Sequence, residues 1–406
     1  MKTLWIVSGG AEAVPGIIRA KELGCHVVVS DGNPKAPGVA FADDFVGAST
    51  YDVEATVAAA RRYHHSVRQL DGILCVAADV PLTVATVARE LGLPGIPVET
   101  ARLATDKLAM KERFAAKGIP SPWFSRVESL NHLKKLIDQH GFPLIIKPVD
   151  SRGARGVLRI TPAVDLDWAF RHAMGFSPTG RVMAEEFLDG PQISTESVLL
   201  DGEGFTPGFA DRNYELLEKA APYLIENGGH QPSILSHEEQ QAVKQCAEQA
   251  GCVLGIHTGI VKGDMVMTSD GPKVIEIATR LSGGWFSTDQ IPLATGVDLI
   301  GAAIKLALGK RVSPSEVTPT YQKGVAIRYF FPKPGRIVAI RHAQDVAEKP
   351  WVHRLGFFLG PGDVVEPTTN HTQRAGFVIT CGKDRQEAIS RAEDAVSTVQ
   401  IETISP

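Results

Sequence analysis

The first 95 residues alternate short apolar runs with helical stretches: Leu4-Trp-Ile-Val7, a helix from Pro15 to Leu23, His26-Val-Val-Val-Ser30, a helix from Val53 to Tyr63, Gly72-Ile-Leu-Cys-Val76, and Val80 to Leu91. Strands that run parallel need a long crossover between them, and a helix is the usual one. The rhythm therefore implies a parallel sheet covered by helices. Ser8-Gly-Gly10 after the first strand and Asp31 after the second fit a dinucleotide fold in spacing. The Gly-x-Gly-x-x-Gly fingerprint is absent, however, because Gly10 is followed by Ala-Glu-Ala-Val-Pro.

A chain of 406 residues exceeds one ordinary core and calls for two to four domains. The helix from Ala101 to Lys117 is closed by Gly118 and followed by Pro120 and Pro122, which is helix-stop chemistry. Beyond it come a helix from Leu130 to His140, the strand Phe142 to Lys147, a polar loop Asp150 to Gly156, the strand Val157 to Ile160, a helix from Leu166 to Met174 and the strand Arg181 to Phe187. These form a lid-like α+β unit. Ile193 to Leu200 reads as a strand, Asp201-Gly202 as part of a loop, and Glu238 to Gly251 as a helix. After Pro314 and Pro319, strands Val325–Phe331, Arg336–Ile340 and Gly376–Thr380 precede a helix from Asp384 to Thr398, a small α+β cap. The expected division is 1–95, 96–309 with a lid at about 125–188, and 310–406.

The formal charge of −4 carries no basic footprint, so no nucleic-acid partner is expected. Five cysteines without a Cys-x-x-Cys pair read as reduced core residues of a cytoplasmic protein. The apolar stretch Met1 to Val7 is too short for a signal or a membrane span, so no membrane partner is expected.

Chemistry concentrates near residue 270. Asp264 and Glu276 lie on two strand-like runs joined by Thr268-Ser-Asp-Gly-Pro272, and a hairpin brings such carboxylates close on one face. Two carboxylates repel unless a cation lies between them, and an oxygen-only pair suits Mg²⁺ with phosphates better than zinc. A solvated acidic hairpin is the other reading. Arg280 and Ser282-Gly-Gly284 follow, adding a fixed cation and a permissive backbone. Lys147 ends a buried-looking strand before Pro148, and Gly153 and Gly156 punctuate a loop carrying Arg152 and Arg155. That loop is either a phosphate cover or a plain surface turn. Lys107 alone reads equally as a solvated helix lysine.

Taken in order, Asp-Lys107, Pro-Leu-Ile-Ile-Lys147-Pro, the loop to Gly156, Glu185-Glu-Phe-Leu-Asp-Gly190, Asp264 and Glu276-Ile-Ala-Thr-Arg280 with its Gly-Gly resemble the ATP-grasp superfamily. The match runs from about residue 100 to 305, and the chain is most similar to carboxylate-amine ligases of the L-amino-acid ligase-like type. The resemblance implies an α/β ATP-grasp fold with an N-terminal parallel-sheet (pre-ATP-grasp) domain and the C-terminal α+β cap. It implies ATP with Mg²⁺, or Mn²⁺ in its place, and flanking domains of a kind that build homodimers.

Position by position, it implies that Lys107 and Lys147 bind phosphates, that the loop through Gly153 and Gly156 closes over them, and that Glu185, Glu186 and Leu188 meet adenine. Gln192 stands where an acidic ribose ligand is usual, Asp264 where glutamate is usual, and Ala278 where asparagine often supplies a third metal ligand. Asp264 and Glu276 would hold the metal, and Arg280 would steady the transferred phosphoryl group, with Lys147 beside it. The partners implied are a small carboxylate and an amine, joined with release of ADP. For them the candidate residues are Arg212, His230, His257, Lys262, Ser282, Gly283 and Gly284, with Trp285 and Phe286 near the same cleft. Purine-biosynthesis, carbamoyl-phosphate or biotin-carboxylase-like ligases are alternatives. Gln192 and Ala278 also leave room for a non-catalytic nucleotide-binding module.

Overall fold

The computed structural model describes residues 1–405. Its first sheet is parallel, with spatial order Asp44–Gly47, His26–Asp31, Thr3–Val7, Gly72–Cys75. Because successive side chains of a strand point to opposite faces, the apolar runs divide between two cores. Leu4, Ile6, Val27 and Val29 join one. Trp5, Val7 and Val28 join the other, where Trp5 Nε1 donates to Ser30 Oγ at 2.9 Å. The carboxylate of Asp31, which a dinucleotide fold would turn to ribose, accepts the Gly9 amide at 2.8 Å and the Asn33 amide at 2.9 Å.

The helix expected over 101–117 is two helices, Val98–Thr105 and Lys107–Lys117. Asp106 is extended and caps the second, accepting from the amides of Leu108 and Ala109. An aspartate at that position satisfies helix donors that lack intrahelical partners. The break puts Lys107 on the first residue of a new helix, with its amide bonded to Val149 O at 3.0 Å.

The lid sheet is antiparallel, ordered Phe124–Val127, Val182–Glu186, Leu144–Pro148, Leu158–Ile160. The largest sheet has eight antiparallel strands, ordered Gly271–Ala278, Gly259–Thr268, Gln192–Leu200, Glu203–Arg212, Gly229–Gln231, Gly324–Phe330, Gly376–Gly382, Val352–Phe357. One correction to the sequence reading follows from it. The stretch after Asp201-Gly202 is a ten-residue strand; Gly204, Pro207 and Gly208 mask its signal, and its register shifts between Phe205 and Gly208. The α+β cap beyond 310 contributes three strands to this sheet. Only Gly335–Arg341, Val364–Val365 and Gln400–Ile404 form a sheet of their own.

Candidate active site

The hairpin owes its chemistry to an irregularity. Its turn is two residues long, pairing Thr268 with Gly271, and in a regular hairpin of that kind opposed residues differ by an odd number. Asp264 and Glu276 differ by an even number and would fall on opposite faces. A bulge at Ile275 shifts the register by one, so that Met265 pairs with Val274 but Asp264 pairs with Glu276. Both carboxylates now face the same cavity.

That cavity, of about 330 Å³, lies between the large sheet and the lid. It gathers Lys107, Lys147, Gly153, Glu185, Glu186, Leu188, Gln192, Arg212, Lys262, Asp264, Glu276, Arg280, Ser282, Gly283 and Gly284. Four anticipated residues stand outside its lining, one of them Trp285, which is buried and stacks on Phe377. Gly156 is a backbone requirement at the base of the loop: its φ is +72°, and a Cβ there would meet Pro148 and Phe176 at 2.9 Å. His230 is turned toward Arg328 and Arg385 and is buried, and its pKa is pushed down to about 3 by burial and those two cations. His257 is exposed ahead of its strand, its carbonyl accepting the Gly202 amide.

At the lid end, Lys147 Nζ donates to Glu185 Oε1. Lys111 Nζ lies 3.1 Å from Glu185 Oε2 and 3.2 Å from Val274 O. All three side chains are nearly sealed from solvent. Burial drives the Lys111 pKa down to about 8 against the pull of Glu185. Burial raises the Glu185 carboxyl, but Lys111 and Lys147 outweigh it and leave it below its ordinary value. Lys107 Nζ donates to Ser151 O at 2.7 Å and lies 3.4 Å from Glu276 Oε1.

Asp264 Oδ1 is met by Lys262 Nζ at 2.5 Å and Arg212 Nη1 at 2.8 Å. Burial opposes its ionisation, yet these cations hold the carboxyl far below the usual range. Arg212 also donates through Nε to Glu226 at 2.7 Å. Arg374 Nη2 donates to Glu226 O at 2.6 Å while its guanidinium lies 3.7 Å from the Tyr329 ring centroid. Burial raises the Glu226 carboxyl, but Arg212 and Arg374 prevail and bring it to about 2. Sequence reasoning missed Lys111, Glu226, Arg374, Tyr329 and His371, which lines the cavity with its Nε2 3.3 Å from the Glu226 amide. Lys111 carried one usable signal, a fourth-residue repeat from Lys107 along one helix face. The others enter only through long-range pairing of the large sheet.

The glycines after Arg280 are held from two sides. Glu12 of the first domain accepts the Gly284 amide at 3.0 Å, and a Cβ on Gly283 would come within 2.5 Å of the Glu12 carboxylate. Glu196, fully buried, accepts the Ser282 amide at 2.9 Å and the Ser287 hydroxyl at 2.7 Å. Arg280 Nε is 3.6 Å from Asp79 Oδ1 and forms no hydrogen bond.

Among the described residues no cluster of three or more His, Cys, Asp or Glu gathers as a self-sufficient metal centre. The donor set is two carboxylates on one face. It fits Mg²⁺, which binds through one or two carboxylates and completes its shell with phosphates and water.

Three family models match in succession: ATP-grasp N-terminal domain over 18–95, ATP-grasp domain over 104–284, and L-amino acid ligase C-terminal domain 2 over 328–403. The chain belongs to the ATP-grasp superfamily. Alanine–anticapsin ligase of Bacillus subtilis is 26% identical over 57% of this chain and 53% of its own length, so the chain spans about half of that relative. Formate-dependent phosphoribosylglycinamide formyltransferase of Rhodococcus jostii is 26% identical over 95% of this chain and 91% of its own. The crystal structure of L-amino acid ligase from Bacillus licheniformis superposes with a TM-score of 0.85 at 22% identity, covering 100% of this chain and 99% of that one. That likeness is one of fold. ATP-grasp enzymes use ATP and Mg²⁺.

Proposed function

We propose that this ATP-grasp ligase activates a small carboxylate as an acyl phosphate and couples it to an amine, with amino acids as substrates and an amide or dipeptide as product. The observation that carries the reading is one cavity lined by two charged groups that meet at Asp264. Lys107, Lys147 and Glu276 belong to one and Arg212, Glu226 and Arg374 to the other, Asp264 lies 2.8 Å from Arg212 Nη1, and Arg280 is also in the lining. A carboxylate is a poor electrophile until an oxygen leaves as phosphate. Its oxygen attacks the γ-phosphorus of ATP and ADP departs; the amine then attacks the acyl carbon, phosphate leaves, and the amine proton passes to solvent.

Such chemistry asks for positioning and charge neutralisation, without a protein nucleophile. Asp264 and Glu276 would hold Mg²⁺, which supplies neutralisation of the phosphate oxygens when bound. Lys107 and Lys147 bind phosphates, Gln192 offers an amide to ribose, and Arg280 steadies the transferred group. Arg374 and Arg212 suit a substrate carboxylate, and Glu226 suits an ammonium.

Phosphate release is measured over amino acids taken pairwise with ATP and Mg²⁺. ADP and phosphate appearing only when carboxylate, amine and metal are all present supports the reading; AMP and pyrophosphate overturn it. The near full-length match to the formyltransferase supports a second reading, in which formate is the carboxylate. Formate in the same screen decides between them.

A further inference from the structure

Behind Arg280 lies a second cavity of about 900 Å³, bounded by the first sheet, the segment 279–281 and the helix Leu299–Ala307. Its walls are aliphatic, with Val84, Ile96, Leu200, Ile260 and Leu306 among them. Apart from Arg280, its charged residues are exposed. Lys310 and Arg311 line it without an ion pair among the described residues, although nearby Lys305 is paired with Glu316. Asp201 and Glu203 line it too, and no cation meets either; Asp201 accepts only from the Thr258 hydroxyl at 3.3 Å.

Two cations and two carboxylates thus border one apolar cavity without neutralising each other. Ion pairs between exposed side chains contribute little to stability, so these four charges turn to a ligand at little cost. Charges held apart beside an apolar volume match a ligand that carries both signs on one end and a hydrocarbon chain on the other. The wall facing the active site adds a second observation: Thr279 Oγ1 is buried there without a hydrogen-bond partner.

We propose that this cavity binds a zwitterion with an aliphatic side chain, a free amino acid or a short peptide, at a site separate from the active site and linked to it through Arg280. Its carboxylate meets Lys310 and Arg311, its ammonium meets Asp201 and Glu203, and its side chain enters the aliphatic volume. Arg280 lines both cavities. The segment that carries it is fixed to the first sheet by pairing of Val76 with Leu281 and by the Ala77 amide on Leu281 O at 3.2 Å. Occupancy behind the arginine therefore changes the packing of a residue that also faces the reacting groups, and links the two sites energetically.

The inference goes beyond the ligase reading, and its test needs no turnover. Radiolabelled leucine and leucyl-leucine are dialysed against the full chain without ATP. The wild type is compared with Lys310→Glu/Arg311→Glu, with Leu306→Trp, which fills the cavity, and with Arg374→Ala in the active site. One binding site is expected to weaken about tenfold or more in the mouth variant and in Leu306→Trp, and to persist in Arg374→Ala. The tighter of the two ligands tells amino acid from peptide. Unchanged binding in the mouth variant, whose substitutions are exposed and leave the fold intact by thermal melting, overturns the proposal; so does absence of any site that survives Arg374→Ala. Failure of the phosphate-release screen leaves this outcome untouched.

Discussion

The lid end of the active-site cavity is built around one carboxylate between two lysines, and the opposite end around carboxylates shared between arginines. Glu185, Lys147 and Lys111 come from neighbouring segments of the lid and the helix before it, and their charges are sealed from water. Arg212, Glu226 and Arg374 come from segments up to 162 residues apart in sequence, and each of the first two keeps a second partner. A sealed trio with a single anion has no spare partner. A chain of alternating charges tolerates the loss of one member, because the remaining groups still neutralise each other.

The largest expected effect tests that asymmetry. Glu185→Gln leaves two lysines beside each other in a dry site, and removing one partner of a buried pair costs roughly 3–5 kcal/mol. Denaturant melts are expected to show that loss, and a smaller one for Glu226→Gln, where Arg212 keeps Asp264. Equal losses would break the comparison. Next comes the residue that serves both ends: Arg280→Ala is expected to lower kcat by roughly 10²–10³-fold, the range for removing one preorganised donor to developing charge, while nucleotide binding measured by calorimetry stays near the wild-type value. Full activity in that variant would remove Arg280 from the site.

A third substitution separates the ends kinetically. Arg374→Ala is expected to raise KM for the carboxylate or amine substrate about tenfold or more, the equivalent of one charge-assisted hydrogen bond at about 1.5–3 kcal/mol, and to leave KM for ATP alone. A matching rise in KM for ATP would place Arg374 on the nucleotide instead.

The same contrast explains what the chain discloses without its structure. Lys147, Asp264, Glu276 and Arg280 sit on or beside strands whose local signals are strong: a Pro after Lys147, the turn Thr268–Pro272 between the carboxylates, two glycines after Arg280; the cap before Lys107 lies inside what reads as one helix over 101–117. The order of those signals carried the fold. The bulge at Ile275 that brings Asp264 opposite Glu276 has no composition signature, so the pairing was legible and its cause was not. Glu226, His371 and Arg374 depend on the short strand Gly229–Gln231 joining Gly324–Phe330 across almost a hundred residues. No window of sequence contains that contact. His230 misled for the related reason that a polar loop residue reads as accessible, whereas the sheet turns it toward Arg328 and Arg385.

The smallest effect is a pH dependence of the same sign at the two ends, confined to an acid window at one and an alkaline window at the other. Glu226 titrates near 2 in the fold against 4.5 as a free side chain, so it adds stability that is fully present above about 4.5 and is lost as the pH falls toward 2. Lys111 titrates near 8 against 10.5, so the fold opposes its charge; that penalty is complete below about 8 and is relieved as the pH rises toward 10.5, because the unfolded chain then holds the proton and the native state does not. Each group changes the slope of unfolding free energy by at most about 1.4 kcal/mol per pH unit. Glu226→Gln is expected to flatten the acid decline and leave the alkaline side unchanged, and Lys111→Met to do the reverse. Both variants flattening the same limb would mean that the two ends titrate as one network, and the division of the cavity into a sealed trio and a shared chain would fail.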